Sequence, residues 1–388
     1  MITVNKALTL PIGAVPSMIA PPERLVFFDI ETTGLSAERS NLYLIGIVHY
    51  ENGSWRLLQY FAESMEDEPK LLEAFFDLLA QKKKAAGTGR VFLVHYNGEG
   101  FDLPFLKKCI AQYRLPYSFD DVFSFDLFRK VRDLKKPLGL ENCKLKTVER
   151  FLGIFREDAY SGGELIYVYE EYLRLRALPE ESCEANAQNK ALLRHLLDTL
   201  LLHNAEDLSN LPSICAILSY ESLFQGAFSL EHAAVENLPA ANGTSHVLDL
   251  SFRLEQALPK ELAAETDAYS FSVSGSDKYL FQLLVTLYEG ELKYFFVDYK
   301  NYYYLPEEDC AIHKSVGEFV AKRQRRQATA RTCYQKKQGL FLPEPALIFT
   351  PVFYSGYKET PAYAAFDQNM LSEAQKWKDY ALSVLQSF

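Results

Sequence analysis

Short apolar runs and helical spacing alternate along the first half of the chain. Apolar runs bounded by turn residues predict strands, whereas apolar positions three and four apart predict a helix. Asn52-Gly53 separates two of the runs and is a strong hairpin signal. The pattern therefore predicts an α/β layered domain, with strands over residues 25–31, 43–50, 55–61 and 91–95 and a helix over 70–79.

Composition changes set the limits of this domain. Four prolines punctuate residues 1–22, so we expect an irregular N-terminal arm there. A leucine-dense helix is predicted over 187–202, and a further apolar helical stretch, kinked or interrupted by Pro212, follows it. We therefore assign residues 23–225 to a first domain and 226–388 to a second.

The second domain is rich in tyrosine. The last 144 residues hold 13 of the 24 tyrosines. Apolar runs on either side of Glu289-Gly290 predict a β-hairpin over 279–299, and residues 347–353 are expected to be extended. Helices are predicted over 316–331 and 370–386. We therefore expect a smaller α+β domain.

Composition and charge narrow the class of protein. With 48% apolar and 24% charged residues among 388, the chain is typical of globular proteins and not of disordered or coiled-coil chains. No apolar run approaches the roughly 20 residues that cross a bilayer, so no membrane partner is expected. The net charge of −10 argues against a protein that coats long stretches of nucleic acid. A local surface patch could still contact nucleic acid. The six cysteines are scattered without a C-x-x-C, which favours reduced thiols in a cytoplasmic protein.

Asp29 and Glu31 are the first candidate catalytic residues. Alternate side chains of a strand point the same way, so these carboxylates emerge on one face about 7 Å apart. Two like charges beside a buried apolar strand are costly unless a cation is bound, and Mg²⁺ and Mn²⁺ prefer such oxygen ligands. By itself the pair fits a metal site as well as it fits two surface acids at the end of a strand.

Two further acidic motifs follow in order. The sequence N-G-E-G-F-D ends at Asp102 after the predicted strand at 91–95, and H-N-A-E-D ends at Asp207 after the leucine-rich helix. Together with D-I-E-T-T-G from Asp29, these motifs resemble those of the DEDD exonucleases of the RNase H-like superfamily, over residues 23–222. The resemblance implies an RNase H-like mixed sheet flanked by helices.

The third motif departs from the two common forms of that family. His203 stands four residues before Asp207, which is the spacing of the tyrosine subclass with the residue of the histidine subclass. The H-N-x-x-D form resembles a bacterial branch of the superfamily, as does the sequence over 143–154. On a helix, His203 and Asp207 would share one face.

The resemblance implies two-metal hydrolysis of phosphodiester bonds. Two divalent cations, Mg²⁺ or Mn²⁺, would be held by Asp29, Glu31, Asp102 and Asp207. His203 would orient or deprotonate the attacking water, unless it is a core or helix-capping histidine. Substrate contacts are assigned to Asn97, Thr32 and Lys146, and a solvated basic face is the other interpretation of Lys146.

The sequence thus predicts a metal-dependent 3′→5′ exonuclease acting on single-stranded DNA or RNA. One alternative is a non-catalytic nucleic-acid or protein-binding module on an RNase H-like fold. Another is a structure-specific endonuclease that uses the same carboxylates.

A basic stretch stands out in the otherwise acidic second domain. Seven lysines and arginines and no acidic residue lie within residues 322–337, whereas 16 basic and 20 acidic residues occur from residue 228 onward. The stretch is either a phosphate-binding patch or a solvated helix face. Tyr299 and Tyr302–Tyr304 are either a base-stacking platform or core aromatics.

Overall fold

The chain forms two units, Met1–Leu218 and Ser219–Phe388. The structure is a computed structural model that describes residues 1–10, 14–87, 89–157, 160, 162–178, 183–240, 243–273 and 275–388. The division between the units falls a few residues before the boundary expected at 225/226.

Strands and helices alternate in the first unit after an initial run of strands. Its strands are β1 (Ile2–Leu8), β2 (Leu25–Thr32), β3 (Leu42–Glu51), β4 (Ser54–Phe61), β5 (Val91–His95) and β6 (Val122–Asp126). Its helices are α1 (Glu68–Ala86), α2 (Asp102–Tyr113), α3 (Leu127–Leu134), α4 (Leu145–Leu152), α5 (Gly162–Arg176) and α6 (Cys183–Ile214). Helix α7 (Ile217–Phe224) spans the boundary between the units.

The strands of the first unit form one mixed sheet in the order β1-β4-β3-β2-β5-β6. β2 pairs with β5, and β5 with β6, in parallel, whereas the remaining neighbours are antiparallel. Asn52 and Gly53 both have positive φ at the β3–β4 turn, as the hairpin signal predicted. The α/β architecture predicted from the sequence is confirmed.

Helices cover both faces of this sheet. Phe28 on β2 packs against Phe75 of α1 with 5.6 Å between ring centroids. The neighbouring Asp29 points to the opposite face, where Asn204 of α6 contacts it. β2 is therefore buried between two helices, which explains its nearly continuous apolar sequence.

Gly46 lets α6 approach the sheet closely. It lies on β3 directly opposite Asp29 of β2. A Cβ atom at this position would lie 2.0 Å from Asn204 Oδ1 and 2.2 Å from Leu208 Cδ1. Only glycine leaves room for these two side chains of α6, so this residue sets the distance between the helix and the strand that carries the acids.

The prediction of an irregular arm over residues 1–22 is wrong for Ile2–Leu8. This segment is β1, which pairs antiparallel with β4 at the edge of the sheet. The alternation of Ile2 and Val4 with polar neighbours supports a strand, and the prolines that suggested an arm lie beyond it. Pro16–Met18 and Pro22–Arg24 form short 3-10 helices, and residues 11–13 lie outside the described residues.

The second unit is dominated by antiparallel strands. Its strands are β7 (Phe228–Ala240), β8 (Gly243–Leu254), β9 (Leu262–Glu265), β10 (Tyr269–Val273), β11 (Leu280–Thr286), β12 (Tyr288–Phe295), β13 (Tyr302–Leu305), β14 (Cys310–His313), β15 (Arg326–Gln327), β16 (Tyr334–Glu344), β17 (Val352–Phe353) and β18 (Ala362–Ala365). They form three sheets in the orders β7-β8-β11-β10-β9, β12-β16-β18-β17 and β14-β13-β15. The short helix α8 (Lys314–Gly317) and the longer α9 (Ala374–Ser387) complete the unit.

Of three predictions for the second unit, one is confirmed and two are wrong. The helix expected over 370–386 is confirmed by α9, which buries Trp377 and Tyr380. The hairpin over 279–299 is wrong, because β11 and β12 belong to different sheets and Glu289-Gly290 lies inside β12. The helix over 316–331 is also wrong. That segment lacks an apolar stripe that could hold a helix against the unit, and it forms a 3-10 turn and the edge strand β15.

Two further features of the fold concern its helices and its cysteines. Among the described residues, no helix combines the length and apolar character needed to cross a bilayer. Cys109, Cys143, Cys215, Cys310 and Cys333 are free thiols. The side chain of Cys183 lies outside the described residues.

Candidate active site

Strand β2 presents Asp29 and Glu31 on the face of the sheet that α6 covers. The two acids alternate with Phe28 and Ile30, whose side chains enter the core on the other face. Glu31 is buried, and Asp29 is partly buried. The apolar residues of β2 thus hold a pair of carboxylates in place beneath a helix.

Helix α6 brings His203 and Asp207 to these acids. The two residues are one turn apart, and His203 Nε2 lies 3.6 Å from Asp207 Oδ2. The same nitrogen lies 3.8 Å from Glu31 Oε1. Glu31, His203 and Asp207 each offer a ligand atom within 4.8 Å of the others, which is a spacing that fits a shared cation.

Asp102 begins helix α2 and is buried next to β2. Its carboxylate is stabilised by the backbone of Ile30, the residue between Asp29 and Glu31. Its charge also raises the pKa of Asp29. The four acids of the predicted metal set therefore surround one short segment of β2.

Burial and mutual repulsion shape the protonation of these acids. Burial, followed by the charges of Asp102, Glu31 and Asp207, raises the pKa of Asp29 well above its ordinary value. Burial likewise raises the pKa of Asp102 to about 7. Closely spaced carboxylates of this kind favour a bound divalent cation, because the cation offsets both the repulsion and the lost hydration.

Asn204 connects the acids to the sheet, and the sequence analysis missed it. The side chain is fully buried, and its Nδ2 donates to Asp29 Oδ2 at 3.2 Å. Its Oδ1 accepts from Gln59 Nε2 at 3.0 Å. Gln59 also donates to the carbonyl of Leu201 at 2.9 Å, so β4 and α6 together fix the amide that orients Asp29.

Arg156 is a second participant that the sequence analysis missed. Its guanidinium donates to Asp207 Oδ1 and to both oxygens of Glu149, with 2.7 Å between Nη2 and Glu149 Oε1. Glu149 is buried and also accepts from Asn210 Nδ2 at 2.9 Å. The Arg156 cation therefore compensates one buried acid of α4 and one acid of the site.

The loop that carries Asn97 and leads to Asp102 rests on a buried polar network. Asp126 accepts from the backbone N–H of Asn97 at 2.8 Å and of Phe128 at 3.0 Å. His95 Nδ1 accepts from the N–H of Gly98 at 3.0 Å, and burial lowers the pKa of this histidine. The neutral ring then donates from Nε2 to Ser124 Oγ at 2.8 Å. These bonds fix the start of α2 and with it Asp102.

A cleft of about 510 Å³ opens at the acids. Asp29 and Asp207 line it together with polar, basic, aromatic and aliphatic side chains. The other lining residues are Tyr96, Asn97, Phe128, Cys143, Lys144, Leu145 and Leu211. A cleft lined by both charged groups and aromatic rings suits a ligand with a phosphate and a flat base.

The predicted substrate-contact residues have different surroundings. Asn97 is exposed on the cleft, and its φ of 65° turns the chain there. Thr32 Oγ1 donates to the carbonyl of Gly34 at 2.8 Å and does not line the cleft. Lys146 Nζ donates to the carbonyl of Tyr160 at 2.9 Å, whereas its neighbour Lys144 lines the cleft.

Comparisons with known proteins bear on the first unit. A model of the RNase_H superfamily matches residues 26–219, which is half of the chain. No curated protein matches. Among solved structures, the zinc-bound complex of E. coli ExoI with single-stranded DNA aligns at 11% identity with a TM-score of 0.27, covering 94% of this chain and 70% of that one. A TM-score this low carries no weight, so the family match is the comparison that matters.

Proposed function

Because the chain belongs to the RNase H superfamily, we propose that it is a metal-dependent nuclease that hydrolyses phosphodiester bonds of single-stranded DNA or RNA. The observation that carries this proposal is the convergence of Glu31, His203 and Asp207 within 4.8 Å. Asp29 and Asp102 stand beside them and interact electrostatically. Carboxylates this close together repel one another and lower the stability of the fold. A protein that only binds nucleic acid would not need such a set of acids at its cleft.

Four acids are the proposed ligands of the cations. Asp29, Glu31, Asp102 and Asp207 would hold two divalent cations, Mg²⁺ or Mn²⁺. When bound, such cations activate an attacking water and neutralise charge on the scissile phosphate. We assign the cations to the acids alone, so that His203 Nε2, which faces Glu31 and Asp207, would accept the proton of that water instead of coordinating a cation. Asn204 holds Asp29 in one orientation throughout.

The cleft favours attack at a strand end. Tyr96 and Phe128 stand on its wall with 5.9 Å between their ring centroids. These rings would receive the terminal base while Lys144 and Asn97 contact its phosphates. This arrangement favours a 3′→5′ exonuclease, in which the terminal nucleotide occupies the cleft beside Asp29 and Asp207.

The test is degradation of single-stranded DNA and RNA labelled at the 5′ end, with Mg²⁺ or Mn²⁺ and with EDTA. We compare Asp207→Asn with Asp198→Asn, which removes an exposed acid of the same helix. We expect a ladder of products shortened from the 3′ end, abolished by EDTA and by Asp207→Asn and retained in Asp198→Asn.

Other outcomes separate the remaining interpretations. Internal fragments that need metal and Asp207 would replace the exonuclease by a structure-specific endonuclease using the same acids. Metal-dependent products that persist in Asp207→Asn would contradict the site itself. Binding without cleavage of either polymer would favour a non-catalytic nucleic-acid module.

A further inference from the structure

The basic segment of the second unit, residues 322–337, is not a helix and is not neutralised. Its residues run from a 3-10 turn (Lys322–Gln324) through the edge strand β15 into the start of β16. The segment contains seven basic and no acidic residues. It therefore concentrates positive charge on turns and strand ends instead of on one helical stripe.

Lys336 is the member of the segment with ion pairs, to Asp309 at 2.7 Å and to Glu291 at 3.4 Å. Within the described parts of the chain, the other six have no carboxylate at ion-pairing distance. Five of these, Lys322, Arg323, Arg326, Arg331 and Lys337, are exposed. Elsewhere in the unit Arg253 pairs with both Glu231 and Asp277 at 2.9 Å. Lys336 is therefore the one cation of the segment with a carboxylate partner among the described residues, and the segment keeps a net positive charge.

Aromatic rings accompany these cations. Arg325 Cζ lies 4.5 Å from the ring centroid of Tyr303, and Lys314 Nζ lies 5.4 Å from the same centroid. The guanidinium of Arg325 also donates to the carbonyl of Gly317, which fixes it next to α8. Phe319, between α8 and the 3-10 turn, is 91% exposed. Its ring is therefore accessible to a ligand from solvent.

We propose that the basic segment, together with Phe319, is a binding surface for single-stranded nucleic acid. Unpaired cations on a surface attract a polyanion, and each phosphate contact releases counterions. An exposed ring can stack on an unpaired base, which a duplex does not offer. The proposal rests on the proposed nuclease function for its substrate class, but the surface consists of second-unit residues alone.

The test measures binding of fluorescent dT20 and U20 oligonucleotides to the full chain by anisotropy in EDTA. Because EDTA stops cleavage, failure of the nuclease proposal does not affect the result. Arg323→Gln with Arg326→Gln removes two exposed cations. The matched control, Lys278→Gln with Lys358→Gln, makes the same charge change at two exposed lysines elsewhere in the unit.

We expect the Arg323/Arg326 variant to bind about tenfold more weakly than the control. The slope of log affinity against log salt concentration should be about 1.4 less steep for this variant, since each phosphate contact with a single strand contributes roughly 0.7. Phe319→Ala should weaken binding about tenfold with an unchanged salt slope, because stacking releases no counterions. A preference between dT20 and U20 reflects the sugar and the thymine methyl group together, and either preference supports the proposal.

Two results would overturn the proposal. One is equal affinity of the Arg323/Arg326 variant and its control for both oligonucleotides. The other is tighter binding of the wild-type chain to vesicles containing phosphatidylserine, weakened by the same variants. That outcome would make the segment a membrane-contact surface.

Discussion

The amide of Asn204 donates to the carboxylate of Asp29, 3.2 Å away and 175 residues earlier in the chain. Asn204 is fully buried and is itself fixed by Gln59. An amide oriented in this way decides which oxygen of Asp29 remains available to a cation. Asn204 is therefore a positioning residue of the proposed metal site.

Removal of this amide should weaken metal binding more than it weakens the fold. We expect Asn204→Ala to raise the Mn²⁺ concentration needed for half-maximal cleavage by about 10- to 100-fold, the usual effect of losing a partner of a metal ligand. The free energy of unfolding should fall by about 1–3 kcal/mol, because Gln59 loses a buried acceptor. Leu202→Ala, at an exposed position of the same helix, should change neither quantity. An unchanged Mn²⁺ requirement in Asn204→Ala would exclude the positioning role.

Raised carboxylate pKa values make the metal-free protein sensitive to pH. Asp102 has a pKa of about 7 in the folded chain, above its usual value near 4 in an unfolded chain. The folded state therefore binds more protons, and its free energy of unfolding should fall as pH rises from about 4 through about 7. Burial and the neighbouring acids make Asp29 contribute in the same direction.

The measurement is denaturant unfolding in EDTA between pH 5 and 8, for the wild type and Asp102→Asn. In Asp102→Asn the free energy of unfolding should fall less steeply with rising pH than in the wild type. Saturating Mn²⁺ should also make the fall less steep in the wild type, because the cation favours the ionised acids. A difference between the two proteins that stays constant with pH would contradict the assignment. Asp198→Asn, at an exposed acid, serves as the control.

Arg156 should act on both stability and the site. Arg156→Met leaves Glu149 buried without its cation, and we expect a loss of about 3–5 kcal/mol in the free energy of unfolding. Adding Glu149→Gln should restore most of that loss, because the amide needs no counterion. Cleavage by the double variant should remain about tenfold below wild type, since Asp207 still lacks its partner. Full activity in the double variant would limit Arg156 to a role in folding.

Gly46 should not tolerate a methyl group. In Gly46→Ala the new Cβ would collide with Asn204 and Leu208, which pushes α6 away from the sheet. Overpacking of this kind costs about 1–3 kcal/mol. The cleavage rate should fall by more than the loss of folded protein explains, because His203 and Asp207 move with the helix. Gly339→Ala, where no atom lies within 4 Å of the added Cβ, is the matched control and should be neutral in thermal unfolding and in cleavage assays.

The sequence was informative where local pattern and tertiary structure agree. The run around Asp29, the Asn52-Gly53 turn and the leucine-rich helix all carry their own signals, so these elements were predicted. The end of the helix was not, because α6 continues past residue 202 through Asp207 and Pro212 to Ile214. The i, i+2 spacing also explains why Asp29 and Glu31 share a face. The roles assigned to these residues stay predictions until the cleavage assays are done.

Elsewhere the deciding contacts are distant in sequence. Gln59 and Arg156 stand in no motif spacing that distinguishes them from surface polar residues. Asn204 lies inside the H-N-A-E-D motif, but the motif does not say what the amide contacts. The partners of all three residues are known only once the fold is formed. Glu289-Gly290 is a good turn dipeptide, yet Gly290 faces Gly339 across a sheet. Long-range strand pairing overrode local preference there, as it did when β1 joined β4.

The wide separation of the acids along the chain has a consequence for synthesis. A nascent chain that has not yet emerged beyond residue 200 carries Asp29, Glu31 and Asp102 but lacks both His203 and Asp207. Contacts this far apart in sequence form late, after the loop between them has closed. We therefore expect the proposed cleavage to be absent from a ribosome-bound chain until α6 has docked on β2, so that synthesis and the proposed activity are separated in time.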